Sequence, residues 1–137
     1  MIFKKIMIIS SLCITVNLNG TLDAKGSHAL NLPNEVVQAL TNGDAKTISN
    51  YFNTSVELIF SERQAVYGKA HAEQILRTFF NDNATANRTF SYKPLHNGTR
   101  NNAQFSIGEL TTGKGSYRVT IFLKDQQILQ MKIESND

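Results

Sequence analysis

A chain of 137 residues, 41% of them hydrophobic, is of single-domain length and can bury one substantial core without metals or disulfides. Its 14 basic and 11 acidic side chains leave a formal charge of only +3, with no polybasic run, so nucleic acid is not expected as a partner. The single cysteine excludes a disulfide framework.

Residues 1–24 read as targeting rather than fold. Lys4 and Lys5 supply a positive start, Ile6 to Val16 is an almost unbroken apolar run, and Asn17, Asn19 and Gly20 interrupt it. Leu22-Asp23-Ala24 then offers a cleavage site, which completes the layout of a secretory signal peptide. The run falls short of the roughly 20 apolar residues of a bilayer-spanning helix. No stable membrane span is therefore expected after cleavage, and the product is exported, to the periplasm or beyond the cell. Cys13 follows Leu12, where a lipidated cysteine would need a small residue, so lipidation is not expected. Cleavage leaves 12 basic groups against 10 acidic and no thiol. Residues 25–32 read as a flexible leader and 33–137 as a single domain.

Pro33 suits the first turn of a helix, and Val36, Val37 and Leu40 recur at helical spacing after it. Gly43 is placed to end this helix in a left-handed conformation, and Asp44 to cap the next. Ala45, Ile48, Tyr51 and Phe52 give that second helix one apolar face, broken by Asn53-Thr54-Ser55. Val56, Leu58 and Phe60 share one side of a strand, and Ala65-Val66-Tyr67 reads as a short return. A third helix follows Gly68, with Ala72, Ile75, Leu76, Phe79 and Phe80 on its apolar stripe. The remainder is β-rich. Arg88 to Leu95 alternates, with Phe90 and Tyr92 together, and His96-Asn97-Gly98 reads as a turn. Gln104 to Leu110 is the next strand, followed by a glycine-bearing hairpin loop at residues 112–115. Ser116 to Lys124 places Tyr117, Val119, Ile121 and Leu123 on one face, and Ile128 to Glu134 closes the sheet with Leu129, Met131 and Ile133 in phase.

Three helices on a meandering antiparallel sheet make an α+β domain. The order helix, Gly43-Asp44-Ala45, helix ending in Tyr51-Phe52-Asn53, strand Val56-Glu57-Leu58, helix ending in Phe79-Phe80, then Ile107-Gly108 and Tyr117-Arg118-Val119, resembles the nuclear transport factor 2-like superfamily. Within it the chain is most similar to a bacterial exported family without assigned function. The resemblance covers essentially all of the expected mature chain. It implies a cystatin-like α+β cone, with three N-terminal helices packed on a curved antiparallel sheet and a ligand pocket at the wide end.

Enzymes built on such cones place an ionisable group on an apolar inner wall, where desolvation shifts its pKa. Simple alternation puts Glu109 on the inward side with Phe105 and Ile107, near Tyr117 across the hairpin. A Glu–Tyr pair of that kind would supply a general base and a hydrogen-bond donor. A bulge at Gly108 would instead turn Glu109 outward and bring Leu110 in. Tyr67, His71, Phe105 and Tyr117 are the candidate ligand-binding residues. His28, His71 and His96 share no metal-ligand spacing, so neither a metal nor another cofactor is expected. The leading reading is non-catalytic binding of a small apolar ligand or an envelope partner. The alternatives are an isomerase- or dehydratase-type enzyme with a carboxylate in the cone, and a homodimeric assembly module joined through the sheet.

Overall fold

The computed structural model describes residues 32–86 and 90–137. The expected signal peptide and residues 25–31 of the leader lie outside the described residues, as does Arg88, with which the third strand was expected to begin. Helices α1 (Asn34–Asn42), α2 (Ala45–Asn50) and α3 (Lys69–Asn83) accompany strands β1 (Phe52–Phe60), β2 (Arg63–Gly68), β3 (Ser91–Arg100), β4 (Ala103–Thr112), β5 (Gly115–Lys124) and β6 (Gln127–Ser135). The six strands form one sheet in the order β2-β1-β6-β5-β4-β3. Neighbours run antiparallel except β1 and β6, which run parallel. That junction follows from the connectivity. The β1–β2 hairpin leads into α3, the crossover that lets β3 to β6 meander back and lay the last strand beside the first.

The helical entry is set by local chemistry. The carbonyl of Pro33 accepts from the N–H groups of Val36 and Val37, at 2.9 and 3.2 Å, and opens α1 without a side-chain cap. Gly43 stands at φ 64°, and the Asp44 N–H reaches back to the Ala39 carbonyl at 2.8 Å. The Phe90 ring lies against Gly43 where any Cβ would sit. Asp44 then caps α2 by accepting from the Thr47 N–H at 3.1 Å. Tyr51 ends α2, and Phe52 opens β1 as a buried residue rather than closing a helical face. Asn53-Thr54-Ser55 belongs to β1, where the β1–β6 register shifts between Phe52 and Glu57.

The core lies between the helices and one face of the sheet. Val36, Leu40, Ile48 and Leu76 from the helices meet Val56, Leu58, Val119, Ile121, Met131 and Ile133 from the strands, all essentially without exposure. Leu32, assigned to the leader by sequence, is also packed into this core. Two strand readings change. His96-Asn97-Gly98 is not a turn: β3 runs through it with an irregularity between Pro94 and His96, and the chain reverses at Asn101-Asn102, both at positive φ. In β6 an irregularity against β5 between Phe122 and Leu123 brings Ile128 inward and leaves Leu129 half-buried, so Leu129 is out of phase with Met131 and Ile133.

Candidate functional site

One end of the cone is filled by aromatic rings. Phe79 of α3 packs against Phe60 and Tyr117 with centroids 5.5 and 5.2 Å apart, and Phe80 against Phe90 at 5.5 Å. The Tyr117 hydroxyl donates to Asn83 Oδ1 at 2.7 Å, while the Asn83 amide donates to the Phe79 carbonyl at 2.9 Å. Tyr117 thus fastens the last turn of α3 to the sheet.

Glu109 is not part of this wall. It pairs across the sheet with Arg118, whereas Tyr117 pairs with Leu110, so the two candidates occupy opposite faces. Glu109 accepts from the Ser116 hydroxyl at 2.9 Å on the outer side. The β4–β5 register runs unshifted through Gly108, so no bulge causes this. The alternation is regular, but its phase is the reverse of the expected one. Ser106, Gly108 and Leu110 face inward and are buried, and Phe105 and Ile107 face outward. The reason is volume: the Tyr92 side chain from β3 lies over Gly108, where a Cβ would meet its ring and hydroxyl. Small residues on β4 make room for a large one on β3, and the apolar Phe105 is left to the other side.

The four candidate ligand residues therefore do not converge. Tyr67 and His71 touch ring edge to face, 5.0 Å between centroids, where β2 enters α3. Tyr117 lies at the far end of α3. Phe105 packs on the outer face between His96, at 5.7 Å, and Phe122, at 6.0 Å.

A different place has the shape of a binding site. A cleft of about 290 Å³ opens between the first turn of α1 and the β3–β4 hairpin. Leu32, Val37 and Pro94 are its apolar walls, and Asn34, Asn97 and Ser106 bring polar atoms. Ser106 is 1% exposed and Tyr92 8%. The hydroxyls of both are buried without a hydrogen-bond partner among the described residues. Burial pushes the Tyr92 phenol up from its usual range, opposed by the nearby Ser106 hydroxyl, which stops short of a proper hydrogen bond with it. Sequence patterning missed this site because it assigned Ser106 to the outer face.

The charged groups lie elsewhere. No Asp, Glu, Lys, Arg or His among the described residues is buried. Glu57, on the outer face, accepts from the side chains of Gln130 and Gln64, and these hydrogen bonds hold its carboxyl below the usual range. Glu35 accepts from the Tyr51 hydroxyl at 2.7 Å and raises the phenol's pKa. Among the described residues no three His, Cys, Asp or Glu side chains are grouped to hold a metal, and no helix is long and apolar enough to cross a membrane.

Residues 33–135 match the family model described as "Domain of unknown function (DUF4783)". No curated protein matches. Among solved structures, the chain is similar to a DUF4783 family protein from Bacteroides ovatus, at 30% identity and a TM-score of 0.67, over 77% of this chain and 96% of that one. A DUF4783 family protein from Bacteroides fragilis is 27% identical with a TM-score of 0.69, over 77% of this chain and all of that one (100%). An NTF-2 like protein of unknown function from Burkholderia xenovorans is 9% identical with a TM-score of 0.56, over 76% of this chain and 79% of that one, a likeness of fold alone.

Proposed function

We propose, from the premise that this chain belongs to the family described as a domain of unknown function (DUF4783), that it is an exported, non-catalytic binding domain with a nuclear transport factor 2-like fold. Its occupant is a small apolar ligand or an envelope partner. The observation that carries this reading is the cleft beside α1, walled by Leu32, Val37 and Pro94 with no charged side chain in its lining. At about 290 Å³ it sits at the small end of the range of ligand pockets. The enzyme alternative asks for a carboxylate in the cone, and Glu109, its candidate, lies on the opposite face of the sheet. Native mass spectrometry of the protein purified from its own host is the test. A small molecule retained under gentle ionisation and lost on denaturation supports the reading, and a bare polypeptide mass in every preparation counts against it.

A second reading is favoured by the outer face of the sheet, where Phe105 and Phe122 form a half-buried aromatic pair. A second copy of the chain meeting this face would make the protein a homodimer. Light scattering should then give twice the mass of one chain, and Phe122→Ser should return it to one. A single-chain mass at all concentrations sinks this reading.

A further inference from the structure

Resting on that ligand-binding reading, we propose that the cleft takes a small neutral molecule, apolar over most of its surface, that offers a carbonyl-type acceptor to the hydroxyl of Ser106. A buried hydroxyl without a partner costs stability, and native proteins rarely leave two side by side. Here both are held in place by the packing. Gly108 lets the Tyr92 ring lie flat on β4, so that its hydroxyl comes to rest beside Ser106 on the same face. Ser106 in turn belongs to the lining of the cleft. Neither hydroxyl has a hydrogen-bond partner of proper geometry among the described residues, and burial favours the protonated form of Tyr92.

The rest of the lining selects the remainder of the molecule. Leu32, Val37 and Pro94 suit an aliphatic body. No Asp, Glu, Lys, Arg or His lines the cleft, so a charged group would lose its hydration with no counter-charge in return. The volume holds on the order of ten water-sized groups, the scale of a cyclic ketone or short amide.

The test is a titration of the ¹⁵N-labelled chain with cyclohexanone, followed by amide shifts, with cyclohexylammonium and cyclohexanecarboxylate as charged probes of similar size. Saturable shifts at Val37, Asn97 and Ser106 are expected with the ketone and not with the charged probes. Ser106→Ala should weaken ketone binding about fivefold, the worth of one ordinary hydrogen bond. The same variant should keep or raise the thermal midpoint of the free protein, because the hydroxyl it removes has no partner there. The proposal is overturned if Ser106→Ala lowers the midpoint, if it leaves ketone binding unchanged, or if the charged probes bind equally well. Ketone shifts confined to another region, with a ligand retained from the host, would sink this proposal and leave the binding reading standing. No retained ligand and no saturable shift anywhere would sink both.

Discussion

Asp44 shows how much one side chain contributes at the boundary between α1 and α2. The Thr47 hydroxyl donates to it at 2.6 Å and the Thr47 N–H at 3.1 Å, and these bonds hold the carboxyl below its usual range. Asp44→Ala should cost about 1 kcal/mol near neutral pH, read from urea unfolding. Because the folded pKa is the depressed one, the contribution is complete above the unfolded aspartate value of about 3.9 and is lost as pH falls through the folded value. The difference between variant and parent should therefore shrink in acid, and a gap that stayed constant would show that the charge plays no part. Gly108 makes the opposite kind of demand, for absence rather than for a partner. Gly108→Ala puts a methyl group where the buried Tyr92 ring lies and should destabilise the fold by about 1–3 kcal/mol, as overpacking does. A variant as stable as the parent would show that the ring moves freely. Asp44 was legible from sequence, since a capping residue acts within its own turn. Gly108 was legible as unusual but not as a seat for Tyr92, because that ring arrives from the neighbouring strand.

Among the elements, α3 ties the helical layer to the sheet. Its buried stripe is Ala72, Leu76, Phe80 and Asn83, while Ile75 and Phe79 flank it half-buried. Leu76 has no exposure, and Leu76→Ala should cost about 2–5 kcal/mol through lost burial and the cavity left behind. Arg77, its exposed neighbour, pairs with Glu73 one turn earlier. Arg77→Ala should change stability by no more than about 0.5 kcal/mol, as for other exposed pairs within one helix. Equal losses for the two variants in denaturant titrations would contradict this assignment of the stripe. A helix carries its orientation in its own periodicity, which is why the stripe was readable. β4 does not. Its two faces are Phe105, Ile107 and Glu109 on one side and Ser106, Gly108 and Leu110 on the other, and the apolar-looking side is the outer one. Only the neighbours across the ladder decide which side faces the core.

For the whole molecule the decisive feature is that the last strand lies inside the sheet. β6 is hydrogen-bonded to β1 on one side and β5 on the other, and it supplies the buried Ile128, Met131 and Ile133. Ending the chain after Lys124 should abolish cooperative unfolding in circular dichroism, since it leaves two half-sheets with a gap between them. A truncated chain that still unfolded cooperatively would mean that β6 is dispensable. Sequence alone determined the order of helices and strands, the caps at Gly43 and Asp44, and the α3 stripe, because each depends on residues within a few positions of one another. Only the tertiary structure decided the face of Glu109, the inward turn of Ser106, the scattering of Tyr67, His71, Phe105 and Tyr117, and the cleft beside α1. Those depend on how large and small side chains share space between strands that are distant along the chain, and alternation along one strand carries no record of what its neighbour requires.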